Sequence, residues 1–406
     1  MAHLRSTLSG TQYPLNRIEE FSETGESLEA EIPGLEHATV KSATKLWERF
    51  ADFLPFSRMD ADCSLGEGNT PLIRADTKLR AFTGLDNLLL KNETQNPTWS
   101  FKDRGSLTCM FMAREMGERI TATISTGNMG HSIAAYSAKA GIAAVVFVPD
   151  FTPAEKLQAI AIHGATVIRV AAPDYSAMKQ HILSLASRLQ LRIVSGNGPL
   201  RVEGYKLTAF EMYEQMQGRV PDYVAVPTSA CGHLRGLFKG FRELHRAGLI
   251  SSLPRMIIVQ ARNNSPIVSA LKQGRHHIIP FVNVHTVAEA ITSGNPPGGD
   301  ELIEKAQRYG WLAEDVTEEE ILDSQRRLAR SGIFVEPAAA TSLAAVRSLR
   351  MQKNISPDAT VVLILTGSGL KDLSVFRLHP HEILDSDLSK IGQDVERTIA
   401  AILKNP

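Results

Sequence analysis

From residue 86 to residue 261, short apolar segments alternate with longer segments of helical periodicity, and this alternation is the strongest constraint on the fold. The apolar segments have no regular polar alternation, which is typical of strands buried on both faces. Strands connected by helices run parallel through right-handed crossovers. The alternation therefore predicts an α/β fold with open, mostly parallel sheets flanked by helices. The predicted strands are 88–91, 121–126, 143–149, 165–171, 192–195, 222–227 and 256–261, with further strands at 333–335 and 360–365.

The helical segments and the chain length predict two domains. A chain of 406 residues is long enough for two domains of ordinary size. We expect a small α/β domain at 86–198 and a large α/β domain at 199–380, to which residues 1–85 also belong. A C-terminal helix is expected within 381–406. The predicted helices are 42–54, 102–117, 131–140, 153–163, 174–189, 202–217, 233–246, 317–331, 338–351 and 386–403.

The charge balance and the cysteines argue against several classes of protein. Lysine plus arginine and aspartate plus glutamate number 44 each, so no net charge attracts nucleic acid or an anionic membrane. No apolar segment reaches the roughly 18 residues of a membrane span, and the N-terminal residues lack the apolar core of a signal peptide. Cys63, Cys109 and Cys231 lack metal-ligand spacing. We therefore expect a cytoplasmic protein without a metal site and without nucleic-acid or membrane partners.

Four predicted turns share one position in the fold. Each follows the carboxyl end of a predicted parallel strand: 98–102, 125–131, 228–233 and 366–369. Open α/β sheets bind ligands in the crevice outside these strand ends. The four turns are therefore expected to form one binding site.

Lys102 lies in the first turn of a predicted helix, within the stretch Asn96–Ser106. A lysine cation is disfavoured there, because the helix dipole is positive at its N-terminus. A covalent role would explain the placement, since an imine-forming amine must be partly neutral. The alternative is that Lys-Asp-Arg at this helix start is a solvated face.

Polar groups also mark the turn that follows strand 121–126. Ser125 and Thr126 offer hydroxyl groups, and Asn128 offers an amide, to a carboxylate or to a polar ring substituent. The alternative is an ordinary helix cap, because Ser, Thr and Asn are favoured there.

The remaining candidates follow other predicted strands. The small residues of 228–233 let successive backbone N–H groups point at a phosphate. Cys231 is not expected to be a nucleophile, since no base is paired with it. Arg201 has the planar donor fork that suits an anion, although an ion pair is equally open. The Thr366 hydroxyl could contact a ring nitrogen or be satisfied at its strand end. Glu336 is either a lone buried acid or a loop acid.

At these turns the chain resembles the threonine synthase family, whose members are pyridoxal-phosphate enzymes of the tryptophan-synthase-β fold, known as fold type II. The resemblance covers residues 64–372. The motifs that carry it are GEGNTPL (66–72), KNETQNPTWSFKDRG (91–105), STGN (125–128), RVEGYK (201–206), VEPAAA (335–340) and LTGSGLKD (365–372).

The resemblance implies a role for each residue that would bind pyridoxal 5′-phosphate. Lys102 would attach the cofactor as an imine and later move protons. Asn128 would contact the cofactor's 3′-oxygen, and Thr366 would face its pyridine nitrogen. The cofactor phosphate would bind backbone N–H groups of the loop Ser229, Ala230, Cys231, Gly232 and His233.

The resemblance also implies the substrate contacts and the reaction. Ser125 and Thr126 would hold the substrate carboxylate, and Arg201 would hold a substrate phosphate. The implied reaction converts O-phosphohomoserine and water into threonine and phosphate, in a homodimer. Alternatives of the same chemistry are a cysteate synthase that uses O-phosphoserine and sulfite, or a serine/threonine dehydratase. An alternative of another class is a non-catalytic protein that binds small molecules on this scaffold.

The chain departs from the family pattern around the expected substrate. Trp99 stands where the family has glycine, and Met129 stands where it has threonine. Ser195 and Gly196 replace an Asn-Ser pair, and the loop 229–233 reads Ser-Ala-Cys-Gly-His. The cofactor phosphate would be bound by backbone N–H groups, which tolerate changes of side chain. These departures therefore bear on the choice of substrate more than on the binding of the cofactor.

Overall fold

The structure is a computed structural model that describes residues 2–172, 175–282, 284–372, 376, 378 and 383–404. The chain divides into two compact units, residues 1–371 and residues 372–406. The strands are β1 His3–Ser6, β2 Gln12–Pro14, β3 Leu28–Glu31, β4 Leu72–Arg74, β5 Asn87–Asn92, β6 Ile120–Ile124, β7 Ala143–Pro149, β8 Thr166–Val170, β9 Ile193–Val194, β10 Tyr223–Pro227, β11 Arg255–Ala261, β12 Leu312–Val316 and β13 Thr360–Leu365.

Helices connect these strands in nearly every case from β4 onward. One helix belongs to the second unit and is described by itself. The helices are α1 Leu46–Arg49, α2 Thr77–Thr83, α3 Lys102–Glu115, α4 Asn128–Ala140, α5 Ala154–Ala161, α6 Tyr175–Arg188, α7 Pro199–Tyr205, α8 Leu207–Gln215, α9 Gly232–Arg246, α10 Pro266–Lys272, α11 Gly299–Tyr309, α12 Glu318–Arg330, α13 Pro337–Met351 and, in the second unit, α14 Ile391–Lys404.

The strands of the described residues form three sheets. The largest has six strands in the order β12-β11-β10-β13-β5-β4, all parallel except the edge strand β4. A parallel four-stranded sheet has the order β8-β7-β6-β9. A small antiparallel sheet has the order β2-β1-β3. The predicted α/β class with mostly parallel sheets is confirmed.

The six-stranded sheet is apolar on both faces, which explains why its strands show no regular alternation of apolar and polar residues. Side chains point to opposite faces along a strand. Val224 and Val226 join one core cluster, whereas Ala225 between them joins the other. Ile258 and Ile257 of the neighbouring strand divide in the same way. Because helices cover each face, the strands bury their side chains in both directions.

Several predicted elements differ from the structure. The predicted helix 42–54 is only the four residues of α1 plus a short 3-10 turn, although Trp47 and Phe50 are buried as its pattern indicated. The predicted helix 202–217 is interrupted at Lys206 and forms α7 and α8. The predicted strand 333–335 is a single bridge that pairs Val335 with Ser368. At these positions tertiary packing overrides the local propensities on which the predictions depended.

The pairing of the strands can be compared with the bounds of the two expected domains. Strand β5 was expected in the small domain 86–198, but it hydrogen-bonds with β13 and β4 in the six-stranded sheet. The strands β6 to β9 all lie within that predicted range. The division into a small and a large domain stays a prediction.

A buried ionic network links the motif KNETQNPTWSFKDRG (91–105) to α8. The Arg104 guanidinium donates to Glu93 at 2.7 and 2.8 Å and to Glu211 at 2.9 Å. Lys91 Nζ donates to the other Glu211 oxygen at 2.6 Å. All four side chains are buried. The alternative of a solvated Lys-Asp-Arg face is therefore wrong for Arg104.

We expect Arg104→Ala to lower the free energy of unfolding by about 3–5 kcal/mol, because it leaves buried carboxylates without their partner. Urea unfolding followed by circular dichroism measures the loss. The matched control is Arg5→Ala, which breaks an exposed pair with Glu31 and should cost less than about 1 kcal/mol. Equal losses in the two variants would contradict a structural role for the network.

Among the described residues, no helix combines the length and the hydropathy of a membrane span. Within the same ranges, no group of three or more His, Cys, Asp or Glu side chains is arranged to hold a metal ion.

Candidate active site

Lys102 begins α3 at the carboxyl edge of the six-stranded sheet. The N–H of Phe101 donates to the carbonyl of Thr366 at 3.0 Å, which ties this turn to the end of β13. Lys102 Nζ lies 4.2 Å from the centre of the Phe101 ring and 5.9 Å from that of Tyr205. The turn lies at the strand edge, as the sequence predicted, and the structure adds that two aromatic rings lie near the lysine.

The surroundings of Lys102 favour its neutral form. Burial and, secondly, the charge of Arg201 together lower the pKa of Lys102 to about 7, against the opposing effect of Glu336. No carboxylate lies within ion-pair distance of its ammonium group among the described residues. An amine with this pKa is largely available as a nucleophile near neutral pH. The chemical environment therefore fits an imine-forming lysine.

The turn before Lys102 has an unusual backbone. Trp99 has a φ of +64°, in the left-handed region, and its side chain is 50% exposed. The conformation costs a residue with a side chain about 1–2 kcal/mol relative to glycine. Two hydrogen bonds hold the turn: the Ser368 N–H donates to the Trp99 carbonyl at 3.0 Å, and Lys371 Nζ donates to the Thr98 carbonyl at 2.6 Å. The left-handed φ gives a physical reason why the family has glycine where this chain has Trp99.

Asn128 and Thr366 meet at one buried carboxylate. Asn128 Nδ2 donates to Glu336 Oε2 at 2.8 Å, and Thr366 Oγ1 donates to Glu336 Oε1 at 3.3 Å. Burial raises the pKa of Glu336, and the hydrogen bond from Asn128 opposes the rise. Glu336 was not among the predicted site residues, since its sequence context did not separate a buried acid from a loop acid. In the structure Glu336 is a buried acid, and it accepts hydrogen bonds from Asn128 and Thr366, the two residues predicted to contact the cofactor ring.

The loop 229–233 is packed tightly against the turn that leads to Arg201. Gly232 begins α9, and a Cβ added there would lie 2.2 Å from the carbonyl oxygen of Gly196. Cys231 precedes it with a φ of +76°. Burial raises the pKa of the Cys231 thiol, so this cysteine stays protonated, as expected for a packing role.

His233 closes the loop against the lysine turn. Its ring stacks on the Phe101 ring at a centroid distance of 3.7 Å and an angle of 11°. Among the described residues, neither buried ring nitrogen has a hydrogen-bond partner, and burial lowers the pKa of His233 well below its ordinary value. A neutral ring with unpaired nitrogens beside Lys102 fits a site built to receive a polar group. The residues therefore fit pyridoxal phosphate.

Ser125 and Thr126 form the turn between β6 and α4, and both are partly exposed. Ser125 Oγ accepts from the Gly130 N–H at 3.1 Å, which is an ordinary helix-start hydrogen bond. A Cβ at Gly130 would lie 2.6 Å from the Ser125 carbonyl oxygen, so the tight turn needs this glycine. That these two residues hold a substrate carboxylate stays a prediction.

Arg201 is fully buried beside the candidate lysine. One guanidinium nitrogen donates to the Lys102 carbonyl at 2.9 Å, and Nε donates to the Tyr205 hydroxyl at 2.8 Å. No carboxylate lies within ion-pair distance among the described residues, so the ion-pair alternative is wrong there. A buried guanidinium without a counter-ion suits an anionic ligand.

Sequence reasoning missed one further cation at this edge. Lys371 Nζ lies 3.1 Å from His131 Nδ1, and His131 Nε2 lies 3.2 Å from His163 Nε2. Burial lowers the pKa of Lys371 to about 8, although Asp103 opposes the shift. The motif LTGSGLKD contained this lysine, but nothing in its spacing pointed to the Thr98 turn.

The chain was also compared with known proteins. A model of the pyridoxal-phosphate dependent enzyme family matches residues 63–367. The threonine synthase of Methanocaldococcus jannaschii is 39% identical over 326 residues, covering 80% of this chain and 80% of the relative. The threonine synthase of Synechocystis sp. is 34% identical over 329 residues, covering 80% and 83%.

Solved structures with the same fold include two enzymes of low sequence identity. The processed form of threonine deaminase isoform 2 from Solanum lycopersicum has a TM-score of 0.64 at 20% identity, covering 88% of this chain and 90% of its own. A fungal L-serine ammonia-lyase from Rhizomucor miehei has a TM-score of 0.65 at 20% identity, covering 77% and 98%. At this identity the likeness concerns the fold alone.

Proposed function

Because the chain belongs to the pyridoxal-phosphate dependent enzymes, we propose that it is a threonine synthase, a lyase that converts O-phosphohomoserine and water into threonine and phosphate. The observation that carries the proposal is the buried Arg201 guanidinium, which donates to the carbonyl of Lys102 and has no carboxylate partner among the described residues. It supplies a positive charge for a substrate phosphate next to the reacting amine. Threonine synthases among the relatives support the same reaction.

The proposed mechanism assigns the cofactor contacts to residues of the described site. The loop 229–233 would hold the cofactor phosphate, and Asn128 and Thr366 would orient the ring. When bound, the cofactor supplies a conjugated ring that accepts the electron pair left by a departing proton. Lys102 provides the general base and acid, because burial brings the pKa of its amine to about 7.

Binding groups for the substrate complete the proposal. Arg201 would hold the phosphate and stabilise the negative charge that gathers on it as it leaves. Ser125 and Thr126 would hold the carboxylate. Lys102 would move protons between the α- and β-carbons of the bound substrate. A cytoplasmic homodimer belongs to the same proposal, as the family resemblance implies.

Two alternatives use the same cofactor chemistry. A cysteate synthase would use O-phosphoserine and sulfite, and a serine/threonine dehydratase would use an unphosphorylated substrate. Met129, which brings no hydroxyl to the carboxylate turn, leaves the choice of substrate to experiment. A non-catalytic binding protein is disfavoured, because binding alone requires no lysine of lowered pKa at this place.

The test is a product assay by mass spectrometry on the purified, cofactor-loaded protein. Substrates are O-phosphohomoserine, O-phosphoserine with and without sulfite or sulfide, serine and threonine. We expect threonine and phosphate, with kcat/KM for O-phosphohomoserine at least about 100-fold above the others. Ammonia and a keto acid from serine or threonine would instead identify a dehydratase. Absence of any product would favour the binding protein.

A further inference from the structure

Glu20 is a buried acid in the segment between β2 and β3, a part of the chain for which the sequence predicted no role. Its side chain is only 5% exposed. Oε2 accepts from the Ser195 N–H at 2.7 Å, across 175 residues of sequence. Oε1 is buried and has no hydrogen-bond partner in the part of the chain that the structure describes. No lysine or arginine lies within ion-pair distance of Glu20 among the described residues.

The carboxylate lies directly on the turn 195–198. A Cβ on Gly198 would fall 2.2 Å from Glu20 Oε1, so this glycine leaves the room that the carboxylate takes. On its other side the turn touches the proposed cofactor loop, where Gly196 meets Gly232. The turn leads into α7, which carries Arg201. The turn therefore connects Glu20 with the proposed cofactor loop on one side and with the helix of the proposed phosphate ligand at its end.

The cations that interact electrostatically with Glu20 include Lys179, Arg192 and Arg201. Burial raises the pKa of Glu20, while the Ser195 hydrogen bonds and the charges of Arg192 and Arg201 act against that rise. Arg192 already has a carboxylate partner, Glu118, at 2.9 Å. Arg201 has none among the described residues. Glu20 and Arg201 are thus both buried and close enough for their charges to interact, and neither has an ion-pair partner among the described residues.

A purely structural acid would be expected to satisfy both of its oxygens, as buried polar atoms generally do. Glu20 leaves one oxygen unpaired, which costs free energy. A carboxylate and a phosphate accept the same N–H hydrogen bonds, and two anions repel strongly at short distance in a partly buried site. A phosphate that approached the N–H groups of this turn would therefore be repelled by the Glu20 carboxylate.

We propose that Glu20 competes with the phosphate group of a substrate for the turn 195–198 and Arg201, and thereby sets the selectivity between phosphorylated and unphosphorylated amino acids. The inference rests on the proposed function, in which the substrate carries a phosphate. A phosphorylated substrate binds when Glu20 is protonated or has left the turn. An unphosphorylated substrate binds beside the Glu20 carboxylate.

The test measures binding of inorganic phosphate to the cofactor-loaded protein by isothermal titration calorimetry. Loading the cofactor first keeps free phosphate out of the cofactor's own phosphate loop. We expect Glu20→Gln to bind phosphate about tenfold more tightly than wild type, because it removes one nearby negative charge and keeps the shape. The matched control is Glu19→Gln, an exposed neighbour with the same charge change, which should stay within about twofold of wild type.

A second variant and a kinetic measurement separate this inference from the proposed function. Glu20→Ala should tighten phosphate binding as Glu20→Gln does, and both should lower KM for O-phosphohomoserine more than they change kcat. If no variant uses O-phosphohomoserine, the proposed function fails, while the calorimetry still decides the role of Glu20. Unchanged or weaker phosphate binding in both variants, or failure of both to fold, would make Glu20 a structural anchor and overturn the inference.

Discussion

Lys102→Ala is expected to abolish covalent attachment of the cofactor and to lower kcat/KM by about 1,000-fold or more, because the variant loses both the nucleophile and the general base. Attachment is measured by borohydride reduction followed by intact-protein mass spectrometry, which does not depend on turnover. The matched control is Lys78→Ala, since Lys78 also lies in the first turn of a helix but is exposed. That variant should keep the adduct and the activity.

The pH dependence of attachment gives a second readout for the same residue. An ammonium group must lose its proton before it attacks a carbonyl. Since burial lowers the pKa of Lys102 to about 7, the rate at which cofactor-free protein takes up cofactor should rise as the pH increases through about 7 and level off above it. Visible absorbance after mixing follows this rate. A rate that keeps rising toward pH 10, as for an ordinary lysine, would contradict the lowered pKa.

Arg201→Ala is expected to raise KM for a phosphorylated substrate by about 10- to 100-fold, the loss that charge-assisted hydrogen bonds to a phosphate produce. The affinity for the cofactor should change only a few-fold. Removing this charge should also raise the pKa of Lys102, because Arg201 is one cause of its lowering. The midpoint of the attachment profile should then move to higher pH.

Arg201→Lys separates charge from geometry in the same experiment. The lysine keeps the positive charge but lacks the planar fork that donates to both the Lys102 carbonyl and the Tyr205 hydroxyl. We expect KM between those of wild type and Arg201→Ala, with the attachment profile near that of wild type. Steady-state kinetics and cofactor titration measure both quantities. An equal loss of cofactor and substrate binding in Arg201→Ala would assign Arg201 to the scaffold alone.

The sequence by itself determined the α/β fold and the edge at which the site forms. Buried parallel strands and their connecting helices are local patterns, and the carboxyl ends of parallel strands meet at one edge of a sheet. The turns that hold Lys102, Asn128 and Thr366 therefore converge as predicted. Motifs within the turns were enough to identify the cofactor class and to predict Lys102 as the residue that attaches it.

Only the tertiary structure decided which side chains act as partners across that edge. Glu336 meets Asn128 across 208 residues, and Glu20 meets Ser195 across 175 residues. No local pattern encodes such pairs, because they depend on how distant elements pack and on which groups that packing removes from water. Burial likewise lowered the pKa of Lys102 and left Arg201 without a carboxylate among the described residues. The position of the Lys102 amine was thus a property of the sequence, whereas its lowered pKa and its neighbouring charges were properties of the fold.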